Sequence, residues 1–302
     1  NGYCPEDCGY CAQRRDEKAG PIPSYAAKTD EEVFAEARRA FESGAYRYCM
    51  VTAGRGPNKK SVERFATLIK RIKTDFPGLQ LCLSAGILKD PALAEQLSEA
   101  GLDRYNHNLN TSREHYGDIA STHTYEDRID TLSTMRGAGV SLCSGVIVGM
   151  GESPADLVSV ALDLRKHRVP SIPVNFFLPV PGHAVRDISK LTPDYCLRAL
   201  AMFRLTNPDA EIRMAAGREL HLKGLQGQAL QAASSLFVSG YLNVQGSDAA
   251  DTIRMIYESG YEVDAANSDF PAELERLLEA AGLEQRELAM KDLSQLRPFQ
   301  KS

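Results

Sequence analysis

The chain has 302 residues, with 35 Lys and Arg against 40 Asp and Glu, for a formal net charge of −5. At roughly 150 residues per domain, this length suits two domains or one large α/β barrel, and it can bury a core without disulfide staples. The mildly acidic balance excludes the clustered Lys and Arg of a nucleic-acid footprint, and no apolar run approaches the ~20 residues of a membrane span. Seven cysteines are too few for a disulfide scaffold of this size, and their number is odd, which points to reduced, metal-binding thiols in a cytoplasmic setting.

Short apolar strands and amphipathic helices alternate along the chain. Asp30, Glu31 and Glu32 open a helix whose apolar positions Val33, Ala37, Ala40 and Phe41 have helical spacing, and Gly44 stops it. Residues 46–51 read as a strand, and a helix marked by Val62, Phe65, Leu68, Ile69 and Ile72 follows, closed by Pro77 and Gly78. A strand at 79–84, a helix at 90–100, a more polar strand at 103–108 and a helix at 126–138 come next. A strongly apolar strand covers 140–148, then a helix 154–167, a strand 172–178 and a helix 193–205. A short strand at 211–214, a helix at 220–233, a strand at 235–238 and a helix at 249–259 complete the series.

Seven strands, each followed by a helix, imply a parallel sheet. The count predicts an α/β fold, a (β/α)8 TIM-type barrel whose first strand is missing from this chain. The chain opens in a Gly-Tyr-Cys loop, so a strand is expected before Asn1, with Cys4 to Cys11 in its βα loop. A barrel carries its chemistry at the C-terminal ends of its strands, where that loop would lie. Residues 1–263 are taken as the barrel and 264–302 as a charged, helix-prone extension and surface tail without chemistry.

Cys4-Pro-Glu-Asp-Cys8-Gly-Tyr-Cys11 places three thiols with three and then two residues between them. Three thiolates on one loop can hold three corners of an iron–sulfur cubane, leaving a fourth iron open to a ligand. Zinc is the competing interpretation, but structural zinc favours paired C-x-x-C units and a closed fourth position, and no second pair exists here. Cys49, Cys82 and Cys143 fall on three different strands and could point into one barrel interior. Singly, each reads as a small core hydrophobe, as does Cys196 on a helix.

The loop spacing, with an aromatic residue before the last Cys, resembles the signature of the radical S-adenosylmethionine superfamily. The wider wording resembles the biotin synthase family: Cys4 to Gln13, Tyr105-Asn-His-Asn-Leu109, Cys143 to Glu152 and Ala216-Gly-Arg-Glu219. This similarity runs over residues 1–263. It implies that Cys4, Cys8 and Cys11 hold a 4Fe–4S cluster whose open iron chelates S-adenosylmethionine. One electron would cleave that sulfonium to a 5′-deoxyadenosyl radical, which takes hydrogen from dethiobiotin. It further implies a 2Fe–2S sulfur donor on Cys49, Cys82, Cys143 and Arg213. An arginine on an apolar strand otherwise needs a buried anion, and Arg47, two residues before Cys49, would be a supporting donor.

The resemblance also implies the cofactor and substrate contacts. Gly145, Ile147 and Gly149 would approach adenine, with Tyr10 on its other side; the glycines are too few for a dinucleotide fingerprint. Arg128 would pair with the methionine carboxylate, which suits a guanidinium fork. Asn108 and Asn110 would face ribose, and Asn106, Asn108 and Asn175 the cyclic urea of dethiobiotin, since an amide offers both donor and acceptor. Asn243 would meet the substrate tail, but Val244 stands where family members often carry a hydroxyl. A flavodoxin- or ferredoxin-type reductant and a homodimer are expected, with neither nucleic acid nor membrane as partner. Two alternatives remain: another radical S-adenosylmethionine barrel, such as a hydrogenase-maturation or pyrrolysine-pathway relative, and a non-catalytic iron–sulfur electron carrier.

Overall fold

The computed structural model describes residues 4–15, 25–180, 183, 187–238, 244–270, 274 and 289–299. Their strands are β1 (Arg47–Val51), β2 (Gln80–Ser84), β3 (Arg104–Asn106), β4 (Ser141–Cys143), β5 (Val146–Val148), β6 (Ser171–Phe176), β7 (Glu211–Met214) and β8 (Ser235–Leu236). The helices are α1 (Asp30–Glu42), α2 (Lys59–Asp75), α3 (Pro91–Glu99), α4 (Tyr116–Ile119), α5 (Tyr125–Gly137), α6 (Pro154–Lys166), α7 (Pro193–Thr206), α8 (Arg218–Leu222), α9 (Gln226–Ala229), α10 (Ala249–Glu258) and α11 (Leu293–Leu296).

Local chemistry sets the helix starts. Thr29 with Glu32, Thr124 with Asp127, and Ser153 with Asp156 form reciprocal capping boxes at α1, α5 and α6. Pro91, Pro154 and Pro193 sit in first turns, where a missing N–H costs nothing. All pairs in the sheet are parallel, in the order β1-β2-β3-β4-β6-β7-β8, with β5 on β6. The outward face is apolar: Leu81, Leu83, Leu142 and Ile212 are buried under the helices.

The sheet curls. Arg47 on β1 bonds Glu211 on β7 at 3.0 and 3.1 Å, although four strand positions separate them in the sheet order. A flat sheet would hold such strands, five spacings apart, ~24 Å from each other at ~4.8 Å per spacing. The expected barrel-type architecture is therefore present as a curled parallel sheet. Among the described residues no ladder joins β8 to β1, and no helix is long and apolar enough to cross a membrane.

Three expected elements differ. The strand expected at 140–148 is two short strands, β4 and β5, broken at Ser144 and Gly145. A Cβ on Gly145 would lie 1.9 Å from the Pro173 carbonyl oxygen, so β6 crosses too closely for a regular strand. The polar strand ends at Asn106; beyond it His107 and Asn110 still bond the carbonyls of Cys143 and Gly145, with Asn110 left-handed at φ 70°. The helix expected at 220–233 breaks into α8, a 3-10 turn and α9, where Lys223 takes φ 50° beside Gly224.

Candidate active site

The loop of Cys4, Cys8 and Cys11 is docked by the two acidic residues inside it. The Asp7 carboxylate accepts from the Ser121 N–H at 3.0 Å and the Thr122 N–H at 3.2 Å. Burial disfavours its charge, but these bonds prevail and hold Asp7 down at about 2. Glu6 accepts from the Thr122 hydroxyl at 2.6 Å and lies 3.3 Å from Arg55 and 2.8 Å from His123 Nδ1. Engaged this way, neither carboxylate is left free beside the thiols. Burial pushes the Cys8 thiol up and Cys11 to about 11, so metal binding has to displace protons from them.

The three loop cysteines line a cavity of about 310 Å³ together with Asn106, Asn108, Asn110, Arg128, Ile147 and Asn175. Tyr10 also lines it; its hydroxyl accepts from Asn110 Nδ2 and from Arg128 Nη2 at 3.0 Å. Arg128 is 7% exposed. Its Nε–H donates to the Tyr116 hydroxyl, Nη1 to the Asn108 carbonyl at 2.7 Å, and Nη2 also to His123 Nε2 at 2.9 Å. Among the described residues, no carboxylate pairs with it. A guanidinium has five N–H donors, so one on Nη1 is left for a ligand.

The asparagines divide into held and open groups. Asn108 Oδ1 accepts the Gly145 N–H at 3.0 Å. Asn175 Nδ2 donates to the Val146 carbonyl at 3.0 Å, and its Oδ1 accepts the Ala216 N–H at 3.2 Å. Each keeps part of its amide for a ligand. Asn106 Oδ1 and His183 Nε2, both on cavity-lining residues, are buried without a partner. Orphaned polar atoms of this kind mark a place where a polar ligand completes the bonding. At the turn after β5, the Glu152 carboxylate accepts the N–H of Gly149 and of Met150, both at 2.7 Å. Asn243 lies outside the described residues.

The second set lies deeper than the cavity. Register places Cys49 beside Cys82. Cys82 and Cys143 act on each other's ionisation, and Cys49 acts on Cys82. The pairing with Cys82 and the nearby charge of Arg47 lower the pKa of the Cys143 thiol, whereas that of Cys82, buried between Cys143 and Cys49, is raised. Arg213 Nη1 lies 4.0 Å from Cys143 Sγ. Its other donors reach Ser235 at 3.1 Å, Ser171 at 3.3 Å, and Glu211. Arg47, expected to support the thiols, instead binds Gln80 and Glu211, yet its charge still acts on Cys82 and Cys143. Cys196, on α7, is buried in the core, with no polar partner among the described residues.

The residues fit the implied groups. The loop thiols, an arginine with a spare donor and unpaired amide acceptors share one cavity, with three thiols and a guanidinium beneath it. Among the described residues, no three His, Cys, Asp or Glu gather about one point as a single ion requires. A multi-iron cluster instead spreads its thiolates over separate corners. Sequence reasoning missed Glu6, His123, Tyr116 and Glu211. The signal for Glu6 was a carboxylate between two thiols, where its charge would oppose their ionisation unless it is bound elsewhere. The tail, expected to carry no chemistry, places Met290 on the cavity wall, because Val244 pairs with it across an antiparallel bridge.

Comparisons with known proteins agree on a family. The Radical SAM superfamily profile matches residues 1–164, and that of the Biotin and Thiamin Synthesis associated domain matches 173–262. A biotin synthase of Leptospira interrogans is 55% identical over 269 residues, covering 89% of this chain and 76% of the relative. One of Magnetococcus marinus is 52% identical over 264 residues, covering 87% and 81%. Among solved structures, methylornithine synthase aligns with a TM-score of 0.73 at 19% identity, covering 91% of this chain and 83% of that one. The hydrogenase maturase HydG of Carboxydothermus hydrogenoformans aligns at 0.68 and 17% identity, covering 92% and 64%. At these identities the two structures speak for the fold alone.

Proposed function

This chain belongs to the biotin synthase family of radical S-adenosylmethionine enzymes, and on that premise we propose which of its residues carry the sulfur insertion into dethiobiotin that forms biotin. The groups the family uses supply, when bound, one-electron cleavage of S-adenosylmethionine and a sulfide for the substrate carbon. Cys4, Cys8 and Cys11 would hold the 4Fe–4S cluster, and Cys49, Cys82, Cys143 and Arg213 the 2Fe–2S cluster. Tyr10, Asn108, Asn110, Arg128, Gly145, Ile147 and Gly149 would bind S-adenosylmethionine; Asn106, Asn108, Asn175 and Asn243 would bind dethiobiotin.

The observation that carries this assignment is the stacking of two thiol sets along one barrel interior, with a polar cavity at the loop set. Arg128 offers its unpaired Nη1–H to an anion in that cavity. Asn106 offers an acceptor to a urea N–H. Glu152 fixes the turn whose glycines let a flat ring approach the backbone.

Residues 1–263 are taken as the barrel domain and 264–302 as an extension. The family reaction requires an electron donor, for which we propose a flavodoxin or ferredoxin, and we propose a homodimer. All seven cysteines are free thiols, which suits a cytoplasmic location. The test is anaerobic reconstitution with iron and isotopically labelled sulfide, followed by single-turnover assay with dethiobiotin and S-adenosylmethionine. Labelled biotin is expected. Cleavage of S-adenosylmethionine without labelled biotin, in protein that carries both clusters, would overturn the sulfur-donor assignment.

A further inference from the structure

His123 is a buried residue on the cavity wall to which the family assignment gives no task. It sits between the cysteine loop and α5. Its Nδ1 lies 2.8 Å from Glu6 Oε2, its Nε2 lies 2.9 Å from Arg128 Nη2 and 3.9 Å from Cys8 Sγ, and its ring meets Tyr116 edge-on.

These contacts fix its tautomer. A guanidinium only donates, so Nε2 must present its lone pair to Arg128. The ring proton is then on Nδ1, which donates to Glu6. Both neighbours demand the same neutral form. The result is a continuous relay of hydrogen bonds: Arg128 donates to His123, and His123 donates to Glu6, which lies between Cys4 and Cys8.

The relay determines how Arg128 presents its spare donor. Tyr116, Asn108, Tyr10 and His123 take four of its five N–H groups. The two acceptors on Nη2, Tyr10 and His123, hold the guanidinium plane against rotation. Removing His123 leaves one Nη2–H without an acceptor. The plane then keeps three of its four bonds, and the unpaired Nη1–H is held less firmly in its present direction.

We infer that His123, oriented by Glu6, is a positioning residue that fixes the Arg128 guanidinium for the carboxylate of S-adenosylmethionine and ties its placement to the cysteine loop. This rests on Arg128 being the carboxylate partner. The experiment measures equilibrium binding of labelled S-adenosylmethionine to cluster-loaded protein, with iron and sulfide counted in every variant.

Loss of a hydrogen bond that orders a charged donor predicts about tenfold weaker binding for His123→Ala at wild-type cluster content. His123→Gln, whose amide oxygen can take the place of Nε2, should recover affinity to within about threefold by the same reckoning. The Arg128→Ala, His123→Ala double variant should bind no more weakly than Arg128→Ala alone, because a residue that acts through Arg128 has nothing left to position. Additive losses, or wild-type affinity in His123→Ala, overturn the inference. If His123→Ala fails to load its cluster, His123→Gln decides: weak binding at full cluster content overturns it. Wild-type affinity in Arg128→Ala overturns both the inference and the assignment on which it rests, whereas weak binding there with normal binding in His123→Ala overturns the positioning role alone.

Discussion

The two buried thiols Cys82 and Cys143 are shifted in opposite directions. The pKa of Cys143 is lowered chiefly by its pairing with Cys82 and, more weakly, by Ser171 and the charge of Arg47. Cys143 is thus already disposed toward the thiolate that binds iron. Cys143→Ala removes this ligand while leaving Cys4, Cys8 and Cys11 in place. Biotin formation from labelled sulfide should fall by at least about a hundredfold, the scale on which loss of an essential group reads out in turnover. Iron and sulfide should fall only by the share of the inner cluster, and S-adenosylmethionine binding should persist. Wild-type turnover in this variant would remove Cys143 from the sulfur donor. The cysteines were legible in the sequence because a thiol carries its chemistry in its identity and three of them fall in one loop. Glu6, His123 and Glu211 were not, because each acquires its role from a partner 117, 117 and 164 positions away in the chain, respectively.

At the scale of elements, the βα rhythm was readable because apolar periodicity and caps are local. The breaks were not, because they are imposed by neighbours. Nothing in the apolar run at 140–148 announces that its Gly145 lies under the Pro173 carbonyl, or that Asn108 takes the Gly145 N–H. The break has a consequence for the site: it lets β4 present Cys143 to the deep thiols while β5 presents Ile147 to the cavity. Gly145→Ala would place a methyl 1.9 Å from a backbone oxygen, an overlap that neither strand can relieve without moving. We expect a loss of about 3 kcal/mol, the upper range of overpacking in a tight core. Urea denaturation of the metal-free protein measures it. An unchanged midpoint would mean that β6 yields without cost and that the glycine is kept for the ligand instead.

On the scale of the molecule, ends distant in sequence are tied together. Glu211 on β7 reaches Arg47 on β1 across the curled interior, and Arg297 beyond α11 binds Glu32 in the first turn of α1 with both carboxylate oxygens, at 3.0 and 2.8 Å. This second tie is built into a helix cap, since Glu32 also accepts the Thr29 N–H at 2.7 Å. The Arg297 bonds are the largest cause of a depressed Glu32, held at about 2, against ~4.3 for an unperturbed glutamate. A depressed acid stabilises the fold above its unfolded pKa and loses that contribution as pH falls through its folded one. The tie is therefore at full strength above pH ~4.3 and fades toward pH 2. Asp7, Asp127 and Asp156 are also held at about 2 and fade over the same window, so the wild-type curve alone cannot isolate this pair. The difference between wild type and Arg297→Gln can. Thermal midpoints should differ by a constant amount from pH 7 to about 5, converge below about 4 and coincide near 2. Proteolysis should release the tail of the wild-type protein over the same interval, and that of the variant already at neutral pH. A difference that does not change with pH would show that Arg297 acts through packing of its stem and not through the Glu32 carboxylate.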